Sequence, residues 1–198
     1  GPGCLLTGLE APVSPCDDPP FAKGAEREVY RGGVISVAVG TFTAPDGTTF
    51  ERDLVHHPGA VSVVPVTDDG HAVLVRQYRA AVGEHLLEIP AGKRDVPGEP
   101  PETTAHRELA EEVGLVAARL EPLASFYNSV GFCDELSHVF LGLELSEVPR
   151  DTQGVEEAHM TIERVALADV PAMIADGRLL DAKTIIGLTL ARAALSAG

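Results

Sequence analysis

The stretch from Gly92 to Leu115, GKRDVPGEPPETTAHRELAEEVGL, restricts the fold more than any other part of this chain. It opens on loop residues, Gly92, Pro97 and Gly98, and sets Pro100 and Pro101 ahead of an unbroken helical pattern. Proline suits the first turn of a helix, where its missing N–H would have no partner anyway. Gly114 is a natural stop, so the spacing predicts a helix from about Pro101 to Gly114. Ala105, Leu109 and Val113 recur every four residues and give that helix one apolar stripe to bury. The same geometry puts Glu108 and Glu112 one turn apart on a single face, with Glu111 beside them. Three carboxylates this close repel one another unless a cation sits between them. Oxygen donors at this density suit Mg²⁺ or Mn²⁺, which in turn bind phosphate oxygens. Arg107, four residues before Glu111, is placed to hold it in a salt bridge. A solvated acidic helix face is the other reading of such a run.

Around this unit the chain alternates in the manner of strands. Val34–Thr43 is rich in β-branched residues and leads into the turn signal Pro45-Asp46-Gly47, with Thr48–His56 returning. Ala60–Thr67 and Ala72–Tyr78 flank Asp68-Asp69-Gly70 and read as a hairpin. Ile89–Pro100 reads as a loop. Further strands are expected near Leu120–Tyr127, Ser137–Leu145 and Met160–Val165. Two helices close the chain, one over roughly Leu167–Ala175 and one beginning after Asp181, a plausible cap. Strands mixed with three helices predict a sheet with helices packed on its faces. Residues 1–24, with Pro12, Pro15, Pro19 and Pro20, read as a flexible tail.

Composition narrows the function classes. With 198 residues the chain fits one substantial domain and can bury a real core. Its formal net charge of -15 opposes binding to a nucleic-acid backbone, which needs clustered Lys and Arg. No apolar run is long enough to span a bilayer, and no basic segment leads into an apolar one at the N-terminus, so the expectation is a cytoplasmic protein with no membrane or nucleic-acid partner. Cys4, Cys16 and Cys133 form no CxxC pair and no Cys/His cluster, which argues against zinc and for free thiols.

The helical unit and its loop resemble the signature of the Nudix hydrolase family. That signature is Gly, five residues, Glu, seven residues, then Arg-Glu-aliphatic-x-Glu-Glu-x-Gly-aliphatic. Gly92 opens it here, and Glu99 is followed after seven residues by Arg107-Glu108-Leu109-Ala110-Glu111-Glu112-Val113-Gly114-Leu115. Six residues rather than five separate Gly92 from Glu99, an expansion that a loop tolerates better than a helix would. The resemblance implies an α/β fold over about residues 26–196, an α/β/α sandwich with a mixed sheet. It implies an N-terminal antiparallel strand region over 25–57 that contributes to a dimer, and a hydrolase domain over 58–198. It also implies Glu108, Glu112, Glu111 and the backbone carbonyl of Ala91 as metal ligands, Mg²⁺ first and Mn²⁺ second, with Arg107 orienting the glutamates.

Segments outside the signature are similar to the ADP-ribose pyrophosphatase branch: Phe50–Val61, Val75–Arg79 and Leu87–Lys93. On that likeness Arg79 is the first candidate to grip a substrate phosphate, Arg52 the second, and Glu88 joins them in substrate binding. A guanidinium presents a fork of donors to phosphate oxygens, and a surface ion pair is the alternative role for each arginine. The branch also implies a base on a late acidic loop, where Glu157 is the first candidate and Glu156 the next, and a homodimer. Ser129, Val130, Gly131 and Phe132 match a turn that faces substrate, with Val130 standing where the branch has Pro. Pro fixes φ and lacks an N–H, so Val130 alters that turn. Expected substrates are ADP-ribose first, then an NAD-like dinucleotide or another nucleoside-diphosphate sugar; a non-catalytic ADP-ribose sensor is the alternative of a different class.

Overall fold

The structure, a computed structural model, describes residues 20–151 and 158–197. It divides into two compact units, one running to His57 and including Ser129–Asp134, the other made of Pro58–Asn128 and the chain from Glu135 onward.

In the first unit β1 (Ala22–Arg31), β2 (Ser36–Thr43) and β3 (Thr49–His56) form an antiparallel sheet in that order. The two later strands lie within a residue or two of their expected bounds. β1 is a strand that the residue pattern did not announce. Its sequence AKGAEREVYR has no alternating apolar face, and all ten residues are exposed, so backbone hydrogen bonds to β2 carry it. Phe42 stacks on Phe50 with ring centroids 5.7 Å apart, and Phe21 meets Phe50 edge-on at 6.1 Å.

His56 ties this unit together. Its Nδ1 lies 2.5 Å from Asp134 and its Nε2 lies 3.0 Å from Glu26, whose other oxygen takes Lys23. The His57 N–H donates to the second Asp134 oxygen at 2.9 Å. The bond to Asp134 raises the His56 pKa above 6.5, partial burial opposes it, and Glu26 raises it further. Burial would raise Asp134, but His56 and the His57 N–H outweigh it and hold the carboxyl low. Lys23 chiefly, with His56, holds Glu26 low. The raised histidine stabilises the fold below its unfolded pKa, and that contribution disappears as pH rises through the folded value. The lowered carboxylates contribute above about pH 4 and fail on acidification. The bridge is therefore complete between about pH 4.5 and 6.5. Thermal melts of wild type and His56→Gln should differ most near pH 5.5 and converge by about pH 9. A gap that does not change with pH would mean His56 is not charged there.

In the second unit the strands belong to two sheets. One has the order β7 (Ala91–Lys93), β4 (Ala60–Pro65), β9 (Leu136–Glu147), β8 (Leu115–Tyr127), with β4 and β9 parallel and the other pairs antiparallel. The other is antiparallel, in the order β10 (Thr161–Ala166), β5 (His71–Arg79), β6 (Glu84–Glu88). The hairpin expected at Asp68-Asp69-Gly70 is corrected here. The turn forms, with Gly70 at φ 79°, but the strands share one bridge, Val66 to Ala72, and then part into different sheets. Both are apolar on both faces, so each takes two strand neighbours and neither is spare to pair with the other. The loop expected over Ile89–Pro100 contains β7, and β8 begins at Leu115 rather than Leu120.

Side-chain alternation makes the layers. Val61 and Val63 of β4, Val73 and Val75 of β5 and Phe140 of β9 pack with Ala105, Leu109 and Val113 of α1 (Pro101–Val113). Val64, Leu74, Val139 and Leu141 face the other way, onto α2 (Val170–Ala175), which follows a 3-10 turn at Leu167–Asp169, and onto α3 (Ala182–Ser196). This is the expected α/β/α sandwich with a mixed sheet. Leu109 and Leu188 are wholly buried on opposite sides, each worth about 1.5–3 kcal/mol of burial. Among the described residues no helix is long and apolar enough to cross a membrane.

Candidate active site

The site grows out of α1. Pro101 occupies its first turn, and Gly114 ends it at φ 67° with its N–H on the carbonyl of Ala110. A side chain at Gly114 would also strike the Val148 carbonyl at 2.8 Å, so both conformation and space require glycine there. Burying Ala105, Leu109 and Val113 fixes the rotation of the helix and turns Glu108, Glu111 and Glu112 along its other side.

These carboxylates are held rather than loose. Glu112 is 4% exposed and accepts the Ala91 N–H at 2.9 Å. Glu108 lies directly over Gly92: a Cβ built on Gly92 would sit 1.8 Å from the Glu108 carboxyl carbon. No side chain fits between β7 and the helix at that point, which is the physical content of the signature glycine. Arg107 Nη1 donates to Glu108 at 2.8 Å and to Glu111 at 3.2 Å, the latter being the expected pair, and Nη2 lies 3.6 Å from Glu99. Thr104, fully buried one turn before Glu108, donates to Glu99 at 2.6 Å. Burial works against the Arg107 charge, yet Glu108, Glu111 and Glu99 together raise its pKa.

Glu99, Glu108 and Glu111 crowd one guanidinium, Arg107, with Asp95 4.0 Å from it, so this face of the helix stays strongly acidic. Among the described residues no three carboxylate, imidazole or thiol side chains converge closely enough to hold an ion by themselves. The donor set is nevertheless that of a hard divalent cation: two glutamates one turn apart, packed on a backbone segment that glycine allows to come close. Backbone oxygen, water and substrate phosphate complete such coordination.

Beside the helix lies a second charged group. Arg79, at the end of β5, binds both oxygens of Glu88 in β6, with Nε and Nη2 each at 2.6 Å. Glu88 is only 1% exposed, and it also accepts from Lys183. Lys183 pairs with Asp181 at 2.9 Å, and Asp181 caps α3 by accepting the Thr184 N–H at 2.9 Å and its hydroxyl at 2.6 Å. The Thr184 hydroxyl oxygen accepts the Ile89 N–H at 3.0 Å. The bond to Glu88 raises the Arg79 pKa, burial opposes it, and the charges of Glu88, Asp181 and Glu112 add to the rise. The Glu112 charge therefore reaches Arg79, which ties this group to the carboxylate helix. Burial would raise Asp181, but Lys183 and Thr184 bring it below the usual carboxylate range.

The structure thus brings together Ala91, Glu108, Glu111, Glu112 and Arg107, and beside them Arg79 and Glu88. Arg52 and the Ser129–Phe132 segment belong to the first unit. Arg52 lies over the Phe50 ring at 4.5 Å and donates to the Glu51 carbonyl. Ser129 accepts the N–H groups of Phe132 and Cys133 in a tight turn whose Val130 and Phe132 are 76% and 55% exposed. Glu156 and Glu157 fall outside the described residues, as do Cys4 and Cys16. Sequence reasoning missed Thr104 and Lys183. It had Asp181 as a cap, but nothing local links a cap to Glu88, more than ninety residues earlier.

Comparison with known proteins agrees with this geometry. A family model of the NUDIX domain matches residues 56–183. The chain is 40% identical to an ADP-ribose pyrophosphatase of Bacillus subtilis (strain 168) over 160 residues, 81% of this chain and 86% of that one. It is 37% identical to an ADP-ribose pyrophosphatase of Mycobacterium tuberculosis (strain ATCC 25618 / H37Rv) over 168 residues, 85% of this chain and 81% of that one. A crystal structure of an ADP compounds hydrolase superposes with a TM-score of 0.77 at 24% identity, covering 89% of this chain and 95% of that chain, which bears on the fold alone. By the match over residues 56–183 and by these two relatives, the chain belongs to the Nudix family of hydrolases.

Proposed function

We propose that this protein is a divalent-metal-dependent pyrophosphatase that hydrolyses ADP-ribose to AMP and ribose 5-phosphate. The observation that carries the reading is the α1 carboxylate face, with Glu108 against Gly92, Glu112 on the Ala91 N–H and Arg107 clamping Glu108 and Glu111. The names of its relatives support the substrate. Glu108, Glu111, Glu112 and the Ala91 carbonyl would hold the ion, Mg²⁺ first and Mn²⁺ second. A bound divalent ion offsets the diphosphate charge and lowers the pKa of water.

The protein's own groups do the rest. Arg107 keeps Glu108 and Glu111 in place. Arg79 offers Nη1 to a phosphate oxygen, since its bonds to Glu88 use only Nε and Nη2 and Nη1 has no acceptor among the described residues. Arg52 and the Ser129-Val130-Gly131-Phe132 turn serve substrate binding in this reading. Glu157, or Glu156 beside it, takes the proton from the attacking water.

A panel of diphosphates assayed with and without Mg²⁺ tests this, with products identified by mass. ADP-ribose should give AMP and ribose 5-phosphate, and a chelator should abolish the reaction. Faster hydrolysis of an NAD-like dinucleotide or a GDP-sugar would move the substrate assignment. ADP-ribose binding with no hydrolysis of any diphosphate would turn the reading to a sensor.

A homodimer built through residues 25–57 belongs to the same proposal, with 58–198 as the hydrolase domain. β1 supports it, because Val29 and Tyr30 are 50% and 59% exposed on a strand with no buried residue. Light scattering at micromolar concentration should give twice the mass of one chain, and a monomer would contradict the dimer.

A further inference from the structure

We propose that Lys183 is a positioning residue for Arg79: it takes a share of the buried Glu88 carboxylate and so sets how much positive charge Arg79 presents to a substrate phosphate. This inference rests on the reading of the site as a diphosphate site and goes beyond it in naming what tunes the arginine.

Lys183 is out of place by local rules. It is the second residue of α3, where the helix dipole is positive and a cation is disfavoured. Its side chain is only 13% exposed, and lysine is almost never buried unless it is paired. Helix formation does not ask for it, and the Asp181 cap would work without it. Its two contacts state the reason for its position: Glu88, which is 1% exposed, and Asp181.

The charge count follows. Arg79 and Lys183 carry two positive charges, and Glu88 and Asp181 carry two negative charges, so the group is neutral. Glu88 divides its attraction between two cations, one bound through both oxygens and one through Oε2. Without Lys183, Glu88 would be matched by Arg79 alone, and Asp181 would add an unbalanced negative charge. The group would then carry one net negative charge close to a helix that is already acidic, where a diphosphate must bind. Without the Asp181 charge the sign reverses. Asn caps a helix as well as Asp does, so Asp181→Asn changes the charge and keeps the α3 start.

The experiment compares KM and kcat for ADP-ribose in full-length variants at fixed Mg²⁺. Lys183→Met should raise KM about tenfold with kcat within about twofold, and Lys183→Arg should return KM close to wild type. Asp181→Asn should lower KM below wild type. In an Arg79→Lys background, Lys183→Met should add less than a twofold change, because the residue it acts through has already been altered. A structural role alone predicts loss of thermal stability in Lys183→Met and Asp181→Asn alike, with no opposed shift in KM. That result, or equal KM effects of Lys183→Met in both backgrounds, would overturn the proposal. If wild type does not hydrolyse ADP-ribose, the substrate reading fails, and the same variants are compared by calorimetry with magnesium pyrophosphate. The order Asp181→Asn tightest, wild type next and Lys183→Met weakest then supports the positioning role, and any other order refutes it.

Discussion

Glu112→Gln should lower kcat/KM for ADP-ribose by at least about a hundredfold, because groups merely supporting a metal ligand already cost 10–100-fold when lost. The fold should survive. Glu112 is buried at 4% exposure and accepts the Ala91 N–H, a bond that the glutamine carbonyl oxygen can also accept. What disappears is one negative charge of the acidic α1 face. Activity assays and a thermal melt on the same preparation check both halves. A folded Glu112→Gln enzyme with near-normal turnover in Mg²⁺ would show that the α1 carboxylates do not carry the chemistry.

A still smaller change, Gly92→Ala, should be as damaging. The new methyl would fall 1.8 Å from the Glu108 carboxyl carbon and 2.1 Å from Oε1, so the carboxylate must swing away. A flexible side chain can yield at modest cost in stability, about 1–3 kcal/mol for an overpacked site. Its position over β7 cannot be kept, and with it goes the geometry shared with Glu112 and Arg107. The expected result is a loss of at least about a hundredfold in kcat/KM with a Tm only a few degrees lower. Near-normal kcat/KM in Gly92→Ala would show that Glu108 does not need its place against β7.

The residues that sequence placed well are those whose partners are near in the chain. α1 was legible at both ends because Pro101 and Gly114 act within one turn, and the Arg107–Glu111 pair because four residues make one turn. The outer layers were legible because alternation in β4, β5 and β9 sends apolar side chains to both faces. Strand partners were not. The turn at Gly70 looks like a hairpin whichever sheets receive β4 and β5, and only contacts with β9 and β10, far along the chain, settle that choice. β1 escaped because its pairing uses backbone alone. The Glu88 network escaped for the same reason of distance, since Lys183 and Thr184 reach β6 and Ile89 from the far end of the domain.

The most direct test of the account is a reaction of the full chain with ADP-ribose in ¹⁸O-labelled water, with Mg²⁺ present or chelated and with wild type beside Glu112→Gln. Hydrolysis at the diphosphate bridge gives AMP and ribose 5-phosphate, with one ¹⁸O atom in the phosphate of one product, only in wild type and only with the metal. ADP and free ribose, or cleavage that persists in the chelator or in Glu112→Gln, would contradict it.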